Sequence, residues 1–208
     1  MMLTPDLQRP PLSRAVAWRE VGLAVVVLWS VLGGACFFLG AQSIYDRWGT
    51  SLNATLVLDV VFLIGCLAVI GFVFWRQHRQ GEGIVELGWG RPVRMPVIVI
   101  AVVYGLAWTT MSYMRGGDPL AFPWQRPIMM AIGLVLAFAE EIAVRGLILD
   151  RLARCGTSKI IQIVVTAGIM AVYHGVVGHS VWPSYMVSSF VLFGVLSVIY
   201  VYGGRSLT

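Results

Sequence analysis

The chain has 208 residues, 58% of them hydrophobic and 12% charged, and its mean hydropathy is +0.82. A soluble domain carries about 25% charged residues, so composition excludes an ordinary soluble globule and points to a polytopic membrane protein. The net charge of +5 does not indicate nucleic acid, because the basic residues fall mainly between apolar runs, where membrane topology accounts for them.

Residues 1–20 form a basic tail with Arg9, Arg14 and Arg19. The first apolar run, Val21–Ala41, exceeds a signal-peptide core of about 7–15 residues and no small-residue cleavage site follows, so it reads as a retained transmembrane helix. The second run is Ala54–Trp75. Asp59, near its outer end, can snorkel or pair locally. Gly81–Arg94 reads as a cytoplasmic loop, Met95–Met114 as a third span and Met114–Pro127 as an outer loop. Pro127 falls in the first turn of the fourth helix, where a missing N–H costs little. The fourth run is Ile128–Leu149. A shorter fifth, Ile160–Val177, carries His174, and His179 follows in what reads as a solvated outer loop. Tyr185–Tyr202 is the last. The runs are continuous rather than alternating, which argues against strands.

The expected fold is therefore all-α, a polytopic transmembrane bundle of about six spans, with one membrane domain over 21–208. There is no internal repeat and no low-complexity segment. Trp18, Trp48, Trp75, Trp89, Trp124 and Trp182 fall near span ends, as interfacial anchors do. Cys36, Cys66 and Cys155 match neither a disulfide framework nor a metal-ligand spacing and read as packing residues. The loops on one side hold Arg9, Arg14, Arg19, Arg76, Arg79, Arg91, Arg94, Arg151, Arg154, Lys159 and Arg205; those on the other hold Arg47, Arg115 and Arg126. Eleven against three, with Arg145 inside a span, accounts for all 15 and predicts both termini in the cytoplasm.

Glu140, Glu141 and Arg145 interrupt the fourth run. An ionisable side chain at mid-membrane costs about 2.5–3.5 kcal/mol on insertion scales, so these three need partners, water or a purpose. Glu141 and Arg145 are four apart and share a helix face, with the acid first, the favoured order. Glu140 is rotated about 100° away and is not needed for that pair. As the spare carboxylate in a poorly solvated site it suits a general base. Twelve residues separate Glu140 from the cytoplasmic end near Leu152, about 18 Å, and fourteen separate His174 from the end near Ile160, about 21 Å. Two consecutive antiparallel helices can therefore bring them to one level, where a carboxylate and an imidazole could hold and activate a water. The competing structural readings are a packing role for His174 and a purely structural Glu141–Arg145 pair.

"EEIAVR" (Glu140–Arg145) resembles the E-E-x-x-x-R motif of the CPBP family of intramembrane proteases, the CAAX-type prenyl proteases and bacteriocin-processing relatives, also called Abi proteins. "MAVYH" resembles the family's F-x-x-x-H, with Met170 in the Phe position and His174 in the His position. Ser188–Leu207 looks like the next family helix and its glycine-containing exit. The resemblance covers residues 128–208. It implies an integral multi-pass protein of the bacterial plasma membrane that cleaves a peptide or prenylated protein near the membrane. In that scheme Glu140 and His174 activate water, while Glu141 and Arg145 hold the helix geometry. Membrane lipid is the other implied partner, and nucleic acid is not one. Both a divalent metal and a metal-free, glutamate-activated water fit the resemblance, and no HExxH is present.

The family's third motif, H-x-x-x-N, would lie on a further helix, and the sequence ends at Thr208 where that helix should begin. Two expectations follow: a chain that continues, or a degenerate member whose missing oxyanion donor lowers the rate by about 10²–10³. The alternative functions are a non-catalytic family member acting as a binding, immunity or scaffold protein, and a small transporter or proton relay.

Overall fold

The computed structural model describes residues 10–33, 52–83, 87–88, 124–177 and 182–205, with short helical pieces between 95 and 107. Among them every regular element is helical. α1 spans Arg14–Leu28 and runs into a π-helical segment, Trp29–Gly33. α2 spans Leu52–Arg79. α3 (Gln125–Glu141) passes without a break into a second π-helical segment, Ile142–Ile148, and then α4 (Leu149–Arg154). α5 spans Lys159–Val177 and α6 Trp182–Tyr202. Most of the expected third span, Met95–Met114, lies outside the described residues, as does His179; the side chain of Asp59 does too.

Local chemistry sets the boundaries. The Ser13 hydroxyl accepts the Val16 amide at 3.4 Å and caps α1, so this helix begins seven residues before the apolar run and carries Arg19 and Glu20 with it. Pro127 sits in the first turn of α3, as its lost N–H allows. Gly156, with φ +77°, turns the chain out of α4, and the Ser158 hydroxyl accepts the Ile161 amide at 3.4 Å to start α5. The fourth run departs from a regular α-helix at Ile142, and the Leu149 amide bonds the carbonyl of Val144, five residues back.

α5 lies against α6 and α2 against α3, while α1 packs on α4 and on the second π segment. The core between them includes Leu28, Leu32, Val69, Val73, Ile142 and Leu147. Beside this apolar core the bundle exposes large apolar side chains and buries charged ones. Leu134 is 73% exposed and Ile160 71%, whereas Arg151 is fully buried and Glu20 only 4% exposed. Apolar surface on this scale is stable against lipid and not against water. The stretches Arg14–Gly33 and Val60–Arg79 are long and apolar enough to cross a bilayer; Lys159–Gly175 and Met186–Tyr202 are apolar but shorter.

One end of the bundle is tied by a buried layer of charge that joins α1, α2 and α4. Arg76 of α2 clasps Glu20 of α1 through Nε at 3.1 Å and through Nη2. Arg151 of α4 donates to Asp150 at 2.8 Å and to both oxygens of Glu82, at 3.3 and 3.0 Å. It also reaches Gln77 and Gln80 on α2 and its following turn. Arg154 pairs with Glu82 as well and donates to the Pro10 carbonyl at 3.3 Å. The Leu12 amide bonds the Arg154 carbonyl at 3.1 Å. Basic residues that read in the sequence as loop charges setting orientation are thus also the cross-links of the fold. A buried arginine is costly unless its charge meets anions; here the Nη groups of Arg151 and Arg154 find them, while Nε of each has no hydrogen-bond partner among the described residues.

Burial alone would raise the Glu82 carboxyl, but its hydrogen bonds to Arg151 and Arg154 and their charges override this and hold it below its ordinary value of 4.5. A lowered folded-state value means that the ionised form is favoured by folding. The stabilisation is complete above pH 4.5 and is lost as pH falls through the lower, folded-state value. The difference in melting temperature between the wild-type protein and Glu82→Gln, measured in a detergent with a non-titrating headgroup, is therefore expected to shrink steadily below that pH. A difference that stays constant down to pH 3 would count against this role for the carboxylate.

Candidate functional site

Glu140 is the penultimate residue of α3, and burial leaves it 8% exposed. His174, near the end of α5, faces it: His174 Nε2 lies 4.0 Å from Glu140 Oε2. This is beyond a direct hydrogen bond. A water within ~2.8 Å of both atoms would see them at an angle of about 90°, off the line between them. The separation is one that a bridging water, rather than a direct contact, would span.

The imidazole is held by rings. Phe193 of α6 stacks on it with centroids 5.1 Å apart and planes 25° apart, and Tyr173 approaches at 4.9 Å with planes at 67°. The Tyr173 hydroxyl donates a hydrogen bond to the Glu140 carboxylate. Tyr173 is 3% exposed, and its ring borders Gly33 at the end of the first π segment: a side chain added at that glycine would touch it at 3.9 Å. Cys66 of α2 is fully buried and close enough to Glu140 for their charges to interact. The carboxylate thus sits where α2, α3 and α5 converge, with α6 behind the imidazole.

Glu141 turns away from this pair and forms an ion pair with Arg145. The two ends differ in environment: the Arg145 side chain is 4% exposed and that of Glu141 36%. Arg145 lies within the π segment, where each turn takes up an extra residue. Gly146 beside it lets Leu87 approach; a side chain at Gly146 would meet Leu87 at 3.0 Å. The stretch after α2, which the sequence suggests is a surface loop, therefore sends at least Leu87 into the core, where it is 2% exposed. Met170, in the position where the resembling motif has Phe, is fully buried in the same core.

Of the four residues singled out from the sequence, the structure places Glu140 beside His174 and Glu141 beside Arg145. Tyr173, Phe193 and Cys66 border the site without having been singled out. The signal for Tyr173 was present: a phenol in an apolar run needs a hydrogen-bond partner, and Glu140 is the acceptor brought to its level. Phe193 carried no such signal. For a metal, Glu140 and His174 supply two donors and Glu141 is committed to Arg145. Among the described residues no group of three or more His, Cys, Asp or Glu converges on a point. Among the described residues this donor set falls short of a metal site.

Residues 122–208 match the family model described as type II CAAX prenyl endopeptidase Rce1-like. No curated protein and no solved structure matches the chain.

Removing Glu141 strands a buried guanidinium, whereas removing both charges leaves an apolar contact. Breaking one partner of a buried pair costs about 3–5 kcal/mol, and replacing both by apolar groups is often neutral; the part-exposed Glu141 puts this pair at the low end. The expected order of melting temperatures is wild type close to Glu141→Gln/Arg145→Met, with Glu141→Gln clearly lowest. A double variant that melts below the single one would contradict the pairing.

Proposed function

We propose, from the match of residues 122–208 to the Rce1-like family model of CAAX-type endopeptidases, that the chain is an intramembrane endopeptidase. It hydrolyses a peptide bond near the membrane surface with a water activated by Glu140 and His174. The observation that carries this reading is the 4.0 Å approach of an imidazole to a buried carboxylate that is not the ion-pair partner of Arg145.

The chemistry follows from the placement. Glu140 accepts a proton from the water as its oxygen attacks the scissile carbonyl carbon. His174 holds that water through Nε2, its ring fixed between Phe193 and Tyr173. The proton passes from Glu140 to the leaving amine as the C–N bond breaks, which restores the carboxylate. Glu141 and Arg145 touch neither the water nor the substrate; they set the π turn that aims Glu140. Tyr173 fixes the carboxylate rotamer, so that one oxygen faces the water. The substrate class is a peptide or protein at a membrane, and a CAAX-type, prenylated C-terminus is the natural first choice. We further read the chain as a multi-pass protein of a bacterial plasma membrane. It would have about six spans and both termini on the cytoplasmic side, where the arginine-rich end of the bundle lies.

The purified protein in lipid nanodiscs should cleave a farnesylated CAAX-type peptide, and Glu140→Gln should lower kcat by at least about 10². Cleavage that survives Glu140→Gln unchanged would overturn the assignment. Tyr173→Phe removes a hydrogen bond to a charged group, which is worth roughly 1.5–3 kcal/mol. It should therefore lower kcat by about 10- to 100-fold with KM little changed, because the phenol orients the base without meeting substrate. A rise in KM at constant kcat would place Tyr173 in substrate binding instead.

A further inference from the structure

At the arginine-rich end of the α5–α6 hairpin, away from Glu140 and His174, lies a cavity of about 400 Å³. Ile163 of α5 and Val195, Val198 and Tyr202 of α6 line it, with Ile100 on the third side. Its walls present only apolar atoms. Gly194 deepens the floor: with no side chain there, the backbone of α6 comes close to Ala167 of α5.

Two cations lie at this end of the hairpin, one over the lining residue Tyr202 and one on the turn that follows α6. Lys159, the first residue of α5, holds its ammonium 4.8 Å from the centre of the Tyr202 ring. Arg205 lies three residues past Tyr202. Its backbone adopts a left-handed φ of 57°, fixed by a hydrogen bond from its amide to the Tyr200 carbonyl at 3.0 Å. That turn folds the side chain back onto α5, where Nη2 donates to Gln162 Oε1 at 2.7 Å. Nη1 is buried with no hydrogen-bond partner among the described residues. Neither Lys159 nor Arg205 is ion-paired among the described residues, in contrast to Arg76, Arg145, Arg151 and Arg154.

We infer that this groove is a binding site for an anionic phospholipid. One acyl chain fills the apolar cavity, and the phosphate is held by Lys159 and by the unused Nη1 of Arg205. The match is one of shape and charge together. An apolar chain alone would leave a buried guanidinium donor unanswered, which is costly. A soluble anion alone would leave the cavity unfilled. A zwitterionic lipid would bring a cationic headgroup towards two cations. The site does not rest on the peptidase reading; it requires only that the helices lie in a bilayer.

The test compares delipidated protein titrated with phosphatidylglycerol or with phosphatidylcholine of the same acyl chains, with bound lipid counted by native mass spectrometry. Each basic group near an anionic lipid is worth about fivefold in affinity, so the pair should prefer phosphatidylglycerol by roughly 25-fold. Lys159→Gln/Arg205→Gln should bring the two lipids to near equality. Val198→Trp, which fills the cavity from an exposed position on α6, should weaken both. In the unaltered protein the preference should fall as ionic strength rises, a measurement that needs no variant to fold. Equal retention of both lipids would overturn the inference. So would a preference that persists in the double variant, binding unaffected by Val198→Trp, or a farnesyl chain bound as tightly as phosphatidylglycerol.

Discussion

A guanidinium inside an apolar bundle must have an anion, and the site is organised around that requirement. Arg145 is 3% exposed, and its partner is on the preceding turn of the same run of helix. Because Glu141 meets that demand, Glu140 need not. Two adjacent carboxylates on one helix thereby acquire different tasks from their angular positions alone. The π segment after them belongs to the same arrangement. It interrupts the 3.6-residue register just where Arg145 must reach back to Glu141, and it opens a place beside Gly146 for Leu87.

The second requirement is level. Glu140 and His174 meet only if α3 to α4 and α5 stay antiparallel at a fixed depth. The four-residue connection Cys155–Ser158 sets the turn, but the depth is set at the charged end of the bundle. There Arg151 and Arg154 tie α4 to Glu82 beyond α2 and to the backbone of residues 10–12, while Arg76 ties α2 to Glu20 of α1. Apolar packing in lipid is weakly directional, since lipid tails are as apolar as leucine. Fork-shaped arginine contacts are directional, and they stop the helices sliding along their axes.

This division explains what the sequence made legible. Helical arithmetic on Glu140, Glu141, Arg145 and His174 needs only regular spacing, and it places them from the primary structure. The apolar helices are legible for the same reason, and two of them, Arg14–Gly33 and Val60–Arg79, are long and apolar enough to cross a bilayer. The charged end was half legible. Its arginines stood out as a topology signal, whereas Glu20 and Glu82 gave no sign of being drawn inward, because their arginine partners lie 56 to 72 positions away. The π turns were not legible, since local residue preferences do not distinguish them from α-helix. Phe193 over His174 is purely tertiary.

Exposure within the site carries one more consequence. Glu141 shows 36% of its side chain at the surface of the bundle. A carboxylate cannot face acyl chains at that exposure, so its outer side meets water or a polar partner. Its neighbour in sequence, Glu140, lies one helical step inward from that polar opening. Under the proposed mechanism, the pairing that neutralises Arg145 brings a polar boundary to within one residue of Glu140, the group that would activate water. On that reading the demands on the two glutamates converge: the outer acid would keep a polar boundary and a fixed turn, and the inner acid would work behind it in a drier, ring-lined recess.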